Sequence, residues 1–225
     1  KGGIFYYLYR VNKAITMNKL NRKRILKDES FNYQGANKMT LIECEQIKIN
    51  TGTNNQGVYF EIINSTIQQL DLALQIHKRV LVHRFDLHPE KYTSNNEPIS
   101  KFIKRIKQWI YRNYKITDIG YIWVRELEKS KQQHWHVAIF LDGNKIQHPK
   151  KLNAKIKEMY TPYGHMPVIE KPFYFIDKND NGTRLEAIYR LSYLAKVRGK
   201  GYRDIQAKDY GTSRLQSPLI HLPSL

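Results

Sequence analysis

The sequence holds a single cysteine, Cys44. An intramolecular disulfide and a cysteine-based zinc site are therefore excluded, and a reducing compartment fits. Long apolar runs are missing too. The longest near the N-terminus, Ile4 to Tyr9, is far too short to cross a membrane. It also lacks the h-region and small-residue cleavage site of a secretory signal. The cytoplasm is the expected location, with no membrane partner. Acidic residues are scarce: 20 Asp plus Glu face 38 Lys plus Arg, a net charge of +18. Such an excess implies a polyanionic partner, most commonly nucleic acid, with anionic membrane as the rival.

Hydrophobic residues make up 41% of the chain and aromatics 12%, so a core can be buried and wholesale disorder is excluded. A length of 225 residues suits one domain plus an extension. We expect a basic, weakly structured extension over 1–56, a folded domain over 57–212 and a tail over 213–225. Between Arg10 and Lys27 stand seven basic residues and no acidic one, the pattern of a solvated arm that lies on phosphates. Within it, the run from Met17 (MNKLNRKR) reads as a natural start. Thr51 to Gly57 reads as a loop.

From Val58 to about Lys78 the period turns helical, with Phe60, Ile63, Ile67, Leu70 and Leu74 at three- and four-residue steps. Arg79 to Leu87 is short, β-branched and bounded by Pro89, a buried strand. Pro98 suits the first position of a helix reaching about Tyr114. That helix sets Phe102, Ile103, Ile106 and Ile110 on one face and Lys101, Lys104, Arg105, Lys107 and Arg112 on the other. Tyr121–Arg125 and His134–Leu141 form a hairpin, ended by the turn Asp142-Gly143-Asn144. A helix over Lys150–Met159, a strand over Phe173–Ile176 and a last helix over Arg184–Val197 follow, and the chain after Tyr210 reads as poorly structured. The whole is an α+β fold on an antiparallel sheet.

Two clusters can carry chemistry. On a strand, residues two apart share a face, so His134 and His136 project together and can chelate one divalent ion. Glu126, at the end of the preceding strand, shares parity with Ile122 and Val124 and offers a carboxylate beside them; Glu128 has the same parity. Two histidines and one carboxylate leave open positions, as catalytic sites require. Trp123 and Trp135 have opposite parity and should face the helices. The second cluster is Tyr189, Tyr193 and Lys196, spaced to share one helical face. A tyrosine hydroxyl titrates near 10, so only about one in a thousand is phenolate at neutral pH; a nearby lysine favours that form. Each cluster also has a structural reading: an exposed polar strand face for the histidines, core packing for a tyrosine pair.

The order of apolar strand, H-x-H hairpin and Y-x-x-x-Y helix with a following lysine resembles the rolling-circle replication initiators of the HUH endonuclease superfamily. More closely, RVLVHRFDLH (Arg79–His88), YIWVREL (Tyr121–Leu127), HWHVAIFLDGN (His134–Asn144) and YRLSYLAK (Tyr189–Lys196) resemble the inovirus Gp2 / YagK–YfjJ C-terminal family, over roughly Tyr59 to Leu215. The resemblance implies a five-stranded antiparallel sheet with helices on one face and a metal site on the other. It implies His134, His136 and Glu126 as ligands of Mg²⁺ or Mn²⁺, Tyr193 as nucleophile, Tyr189 as its paired tyrosine and Lys196 as the lysine of the same helix. Asp86 and His88 match a motif that lines the site or steadies its floor.

The implied reaction is a transesterification leaving a 5′-phosphotyrosine and a free 3′-hydroxyl on single-stranded or origin DNA, in a bacterial host cell. Arg84, Asp86, His88, Lys104, Arg105, Arg125, Arg190, Arg198 and Lys200 are the expected nucleic-acid-binding set, and Tyr202 a stacking residue. No helicase motif or G-x-x-x-x-G-K-[ST] loop is present, so unwinding and extension fall to a host helicase and polymerase. The rivals are a DNA-binding regulator that keeps the fold without catalysis, a hydrolase using metal-activated water, and a membrane-surface protein.

Overall fold

The computed structural model describes residues 24–25, 31–33, 45–50, 57–127, 132–200 and 203–216. The run from Met17 to Lys23, Cys44, the loop 51–56, Glu128 and Tyr202 lie outside the described residues. The strands are β1 (Arg24–Ile25), β2 (Phe31–Tyr33), β3 (Glu45–Ile47), β4 (Val58–Tyr59), β5 (Arg79–Pro89), β6 (Gly120–Glu126), β7 (His134–Asp142), β8 (Gly164–His165), β9 (Phe173–Asp177) and β10 (Tyr210–Thr212). The helices are α1 (Phe60–Ile76), α2 (Glu97–Tyr114), α3 (Lys150–Tyr160) and α4 (Asn181–Leu191), with 3₁₀ turns at Thr161–Tyr163 and Ser192–Ala195.

The main sheet is antiparallel throughout, in the order β10-β6-β7-β5, with β9 and β8 sharing the far edge of the long β5. β5 and β6 both run against β7, and β7 and β9 both run against β5. The chain β5-α2-β6-β7-α3-β9 is therefore two interleaved β-α-β units, a split arrangement that needs helices on only one side. The period-two alternation of β5 and β7 decides which side. Leu81, Phe85, Leu87, Trp135, Val137, Ile139 and Leu141 point to α2 and α3.

The opposite face is not left bare, and here the expectation of helices on one face only is corrected. Val80, Val82, Ile122, Val124, Ala138 and Phe140 are covered by α1 and α4. The reason lies in the sequence of α1, whose Ile62, Ile63, Ile67, Leu70 and Leu74 form one apolar stripe. Burying each such side chain contributes roughly 1.5–3 kcal/mol. At one end of this second face, beyond Val124 and Ala138, several polar side chains converge.

Other boundaries differ for local reasons. α2 opens at Glu97, with Pro98 in its first turn, and the Glu97 carboxylate pairs with Lys101 at 2.7 Å. The segment after Tyr210 is an edge strand, β10, pairing β6, and Ser213 beyond it is buried. Within the extension expected over 1–56, β1 pairs β4 of the following domain, β2 pairs β3, and Ile47 joins the core. No helix among the described residues is long and apolar enough to cross a membrane.

One core residue titrates. His83 of β5 faces the α2 side, fully buried, with Nδ1 donating to the Pro172 carbonyl at 3.1 Å. Burial pushes its pKa down to about 4. The folded state thus keeps His83 neutral, while the unfolded chain protonates it below about pH 6.5. Stability should therefore fall as pH drops from 6.5 towards 4, by on the order of 3 kcal/mol from this group. Urea midpoints of wild type and His83→Phe, compared across that window, check it: the wild type should lose more stability than the variant, and parallel profiles would refute the assignment.

Candidate metal centre and its tyrosine

The polar end of the second face is assembled by register. On one flank of β7, Glu126 lies opposite His134; on the other, Asp86 lies opposite His136. Alternation does the rest, directing all four side chains to one face while Trp135, between the histidines, points through to the other. The ligand atoms of Glu126, His134 and His136 all lie within 4.8 Å of one another. His136 Nε2 is 2.7 Å from Glu126 Oε2, and His134 Nε2 is 3.6 Å from the same oxygen.

Around the triad stands a second set of groups. Asp86 Oδ1 is 2.8 Å from His136 Nδ1, at ion-pair distance but off the line of a hydrogen bond. A carboxylate at Nδ1 keeps the proton there and leaves Nε2 to a metal, as is usual for metal-binding histidines. Arg84 Nη2 lies 3.4 Å from Asp86 Oδ2. Lys200 Nζ, its side chain fully buried, is 3.8 Å from Glu126 Oε2. Gly199 makes that approach possible: its φ is +74°, and a Cβ there would collide with the Glu126 side chain. The Gly199 carbonyl accepts from Leu127 N–H at 2.7 Å, fixing the loop on the end of β6.

The electrostatics follow from this crowding. Burial alone would raise the Glu126 pKa, but the neighbouring imidazoles of His134 and His136 and the charge of Lys200 prevail and hold it well below the usual carboxylate range. Burial likewise opposes ionisation of Asp86, yet His136 and Arg84 bring it down. His134 is raised: burial lowers it, and the Glu126 carboxylate more than offsets that. Burial takes Lys200 down to about 8. His88 drops to about 4, through burial first and then the neighbouring His134 and His165.

Tyr193 is brought to this site. Its ring meets that of His136 edge-on with centroids 5.5 Å apart; the Lys196 ammonium is 3.9 Å and the Arg84 guanidinium 4.7 Å from its centre. Its hydroxyl is nonetheless raised, by burial first and then by Glu126, with Arg84 and Arg198 opposing. Tyr189 is not brought there. The expected continuous helix to Val197 stops at Leu191 and tightens into the 3₁₀ turn Ser192–Ala195. Ser192 holds the break, its Oγ donating to the Tyr189 carbonyl at 2.7 Å and accepting from Asn50 N–H. Three residues per turn in place of 3.6 rotate Tyr193 away from Tyr189. Tyr189 stays exposed, with Lys48 over its ring.

The expected nucleic-acid set divides. Arg84, Asp86 and Lys200 are buried supports of the triad and Tyr193 rather than surface contacts. His88 lies between His134 and His165, tilted against the first and edge-on to the second, with ring centroids 4.9 and 4.7 Å away. Arg198 is exposed, and Arg190 donates to the Glu170 carbonyl; both act electrostatically on Lys196. Lys104 and Arg105 are exposed on α2, which covers the opposite face. Arg125 is a correction: it is fully buried with Trp123 parity, donating to the Thr93 and Asn95 carbonyls and to Gln133 Oε1, so it pins a loop and is closed to DNA. His165 was missed by sequence reasoning; only the β8 pairing with β5, His88 opposite His165, brings it in.

The donor set fits a divalent ion: two imidazoles and a carboxylate converge, and Asp86 orients one imidazole from behind. Mn²⁺ titrated into metal-free protein and followed by electron paramagnetic resonance should bind at one site. His136→Ala should abolish it, and Asp86→Asn should weaken it roughly 10- to 100-fold. Gly199→Ala should weaken it too, by displacing Glu126. Wild-type affinity in Asp86→Asn would show that Asp86 has no orienting role.

A protein-family model described as the YagK/YfjJ C-terminal domain matches residues 43–165. The match takes in the triad and Asp86 and ends before Tyr193, Lys196 and Lys200. No curated protein and no solved structure matches the chain. With more than half of its length matched, and the β5-to-α3 body and triad inside the match, the chain belongs to the YagK/YfjJ C-terminal domain family.

Proposed function

We propose that the protein nicks and rejoins single-stranded DNA by a metal-assisted transesterification with Tyr193 as nucleophile. The observation that carries the reading is the meeting of Tyr193 with the triad, from a segment more than fifty residues further along the chain and outside the family match. An exposed H-x-H pair with no chemistry would not need a half-buried tyrosine and two cations packed over it.

When bound by Glu126, His134 and His136, Mg²⁺ or Mn²⁺ supplies electrophilic stabilisation of the scissile phosphate; the two imidazoles favour Mn²⁺. Tyr193 Oη bonds to phosphorus as the bond from phosphorus to the 3′-oxygen breaks. The phenolic proton leaves to solvent, and the 3′-oxygen takes a proton to become a free hydroxyl. Lys196 and Arg84 flank the ring and offset charge on the phenolate, which burial and Glu126 otherwise disfavour. The 5′-phosphotyrosine conserves the phosphodiester bond for rejoining. In this reading Arg190 and Arg198 extend the positive field to the incoming backbone, and binding weakens steeply with salt. Replication of a phage or prophage genome, with helicase and polymerase from the host, is the role proposed for that chemistry.

The second reading is a DNA-binding regulator on the same fold, favoured by a family match that ends before the tyrosine. A nicking assay on a pool of labelled single-stranded oligonucleotides with Mn²⁺ separates the two. Wild type should form a covalent adduct mapped to Tyr193 by mass spectrometry and lost with EDTA. Tyr193→Phe should lose it by at least about three orders of magnitude, in keeping with loss of a nucleophile, and Tyr189→Phe should retain it. Tight DNA binding with no adduct under any metal would overturn the nicking reading in favour of the regulator.

A further inference from the structure

On the far side of the sheet from the triad lies a cavity of about 610 Å³ that the proposed chemistry does not use. Its floor is Trp135, the residue between the two metal-site histidines, pointing the other way. Phe102 of α2 and Tyr160 at the end of α3 form the walls, their rings 5.1 Å apart and edge-on. Tyr163 stands at the mouth, half-exposed, with Arg105 Nη1 3.2 Å from its hydroxyl. The rim carries Lys91, Lys101 and Arg105 beside Glu90 and Glu97, and Glu97 is taken by Lys101.

Three features of this cavity point to one ligand chemistry. The volume lies within the range of small-ligand pockets, and Phe102, Trp135, Tyr160 and Tyr163 give the lining an aromatic side. A flat π-system gains roughly 1–3 kcal/mol by stacking on an exposed ring, here that of Tyr163. Beneath the walls, Trp135 Nε1 and Tyr160 Oη are buried without a hydrogen-bond partner among the described residues. The rim pairs cations, suited to a phosphate, with the Glu90 carboxylate, suited to an exocyclic amine. An aromatic ring system bearing amines, acceptors and a phosphate is a nucleotide.

We propose that this cavity binds a single unpaired nucleobase, with its phosphate on Lys91 and Arg105. The floor belongs to the same strand as His134 and His136, so a base held here belongs to a nucleotide that has passed round the polar end of the sheet from the triad. The site requires neither metal nor Tyr193, and it stands or falls apart from the nicking reading.

The test uses metal-free, full-length protein in EDTA, with each of the four deoxynucleoside 5′-monophosphates added in turn. The Trp135 indole N–H resonance, assigned through Trp135→Phe, should shift saturably with at least one nucleotide while that of Trp123 holds. Tyr163→Ala and Arg105→Gln, both surface substitutions, should weaken that titration roughly five- to a hundredfold. The double variant His134→Ala/His136→Ala should titrate like wild type although Mn²⁺ binding is lost, which separates this proposal from the metal chemistry. A static Trp135 signal with all four nucleotides, an equal shift with inorganic phosphate alone, or unchanged affinity in Tyr163→Ala and Arg105→Gln would each overturn it.

Discussion

Everything at the polar end of this molecule depends on the register of one strand. β7 is paired on both flanks, with Glu126 across from His134 and Asp86 across from His136. A slip of one residue would turn His134 and His136 into the α2–α3 core and bring Trp135 out to the polar face. That slip is blocked by burial. Trp135, Val137, Ile139 and Leu141 on one side, and Ala138 and Phe140 on the other, are all buried under helices. The hydrophobic alternation of the middle of β7 thus positions the chemistry at its start. Coverage of both faces, by α1 and α4 as well as by α2 and α3, makes the register firm enough to hold charged groups at fixed separations.

Those groups form a buried polar network whose members are individually unfavourable. Glu126 and Asp86 lose water and regain charge partners in His134, His136, Lys200 and Arg84. Removing one member leaves another uncompensated, which is why such networks rigidify the elements they join. Here they join three strands, β5, β6 and β7, to the loop carrying Gly199 and Lys200. Tyr193 is added by a change of helix type at Leu191, a local device that aims one tyrosine inward and leaves the other, Tyr189, in solvent. The cavity behind Trp135 uses the same strand from its other side, so one register sets the polar cluster and the cavity back to back.

Much of this was legible in the sequence, for definable reasons. Period-two alternation gave the β6–β7 hairpin and the shared face of Glu126, His134 and His136, and it put Trp123 and Trp135 on the opposite side. The helical stripe of α1 was equally plain, but not which face of the sheet it would cover. What the pattern hid was of three kinds. Local hydrogen bonding by Ser192 ended a helix that tyrosine spacing alone suggested would continue. Tertiary burial turned Arg125, Lys200 and Arg84, which composition marks as surface cations, into internal struts. Long-range pairing brought His165 beside His88 with no sequence signal beyond a nearby glycine. Charge counting gives only the sign of an expected partner; which cations are exposed and which are buried is decided by the fold.

The central claim is that a metal at the triad and Tyr193 share one site. Paramagnetic broadening measures that juxtaposition directly, with Mn²⁺ titrated into protein carrying isotope-labelled tyrosine. The account predicts that the Tyr193 ring signals vanish first, at substoichiometric Mn²⁺, while those of Tyr189 persist, and that His134→Ala/His136→Ala abolishes the difference. Tyr193 signals that outlast those of Tyr189, or a pattern unchanged in the double variant, would contradict it.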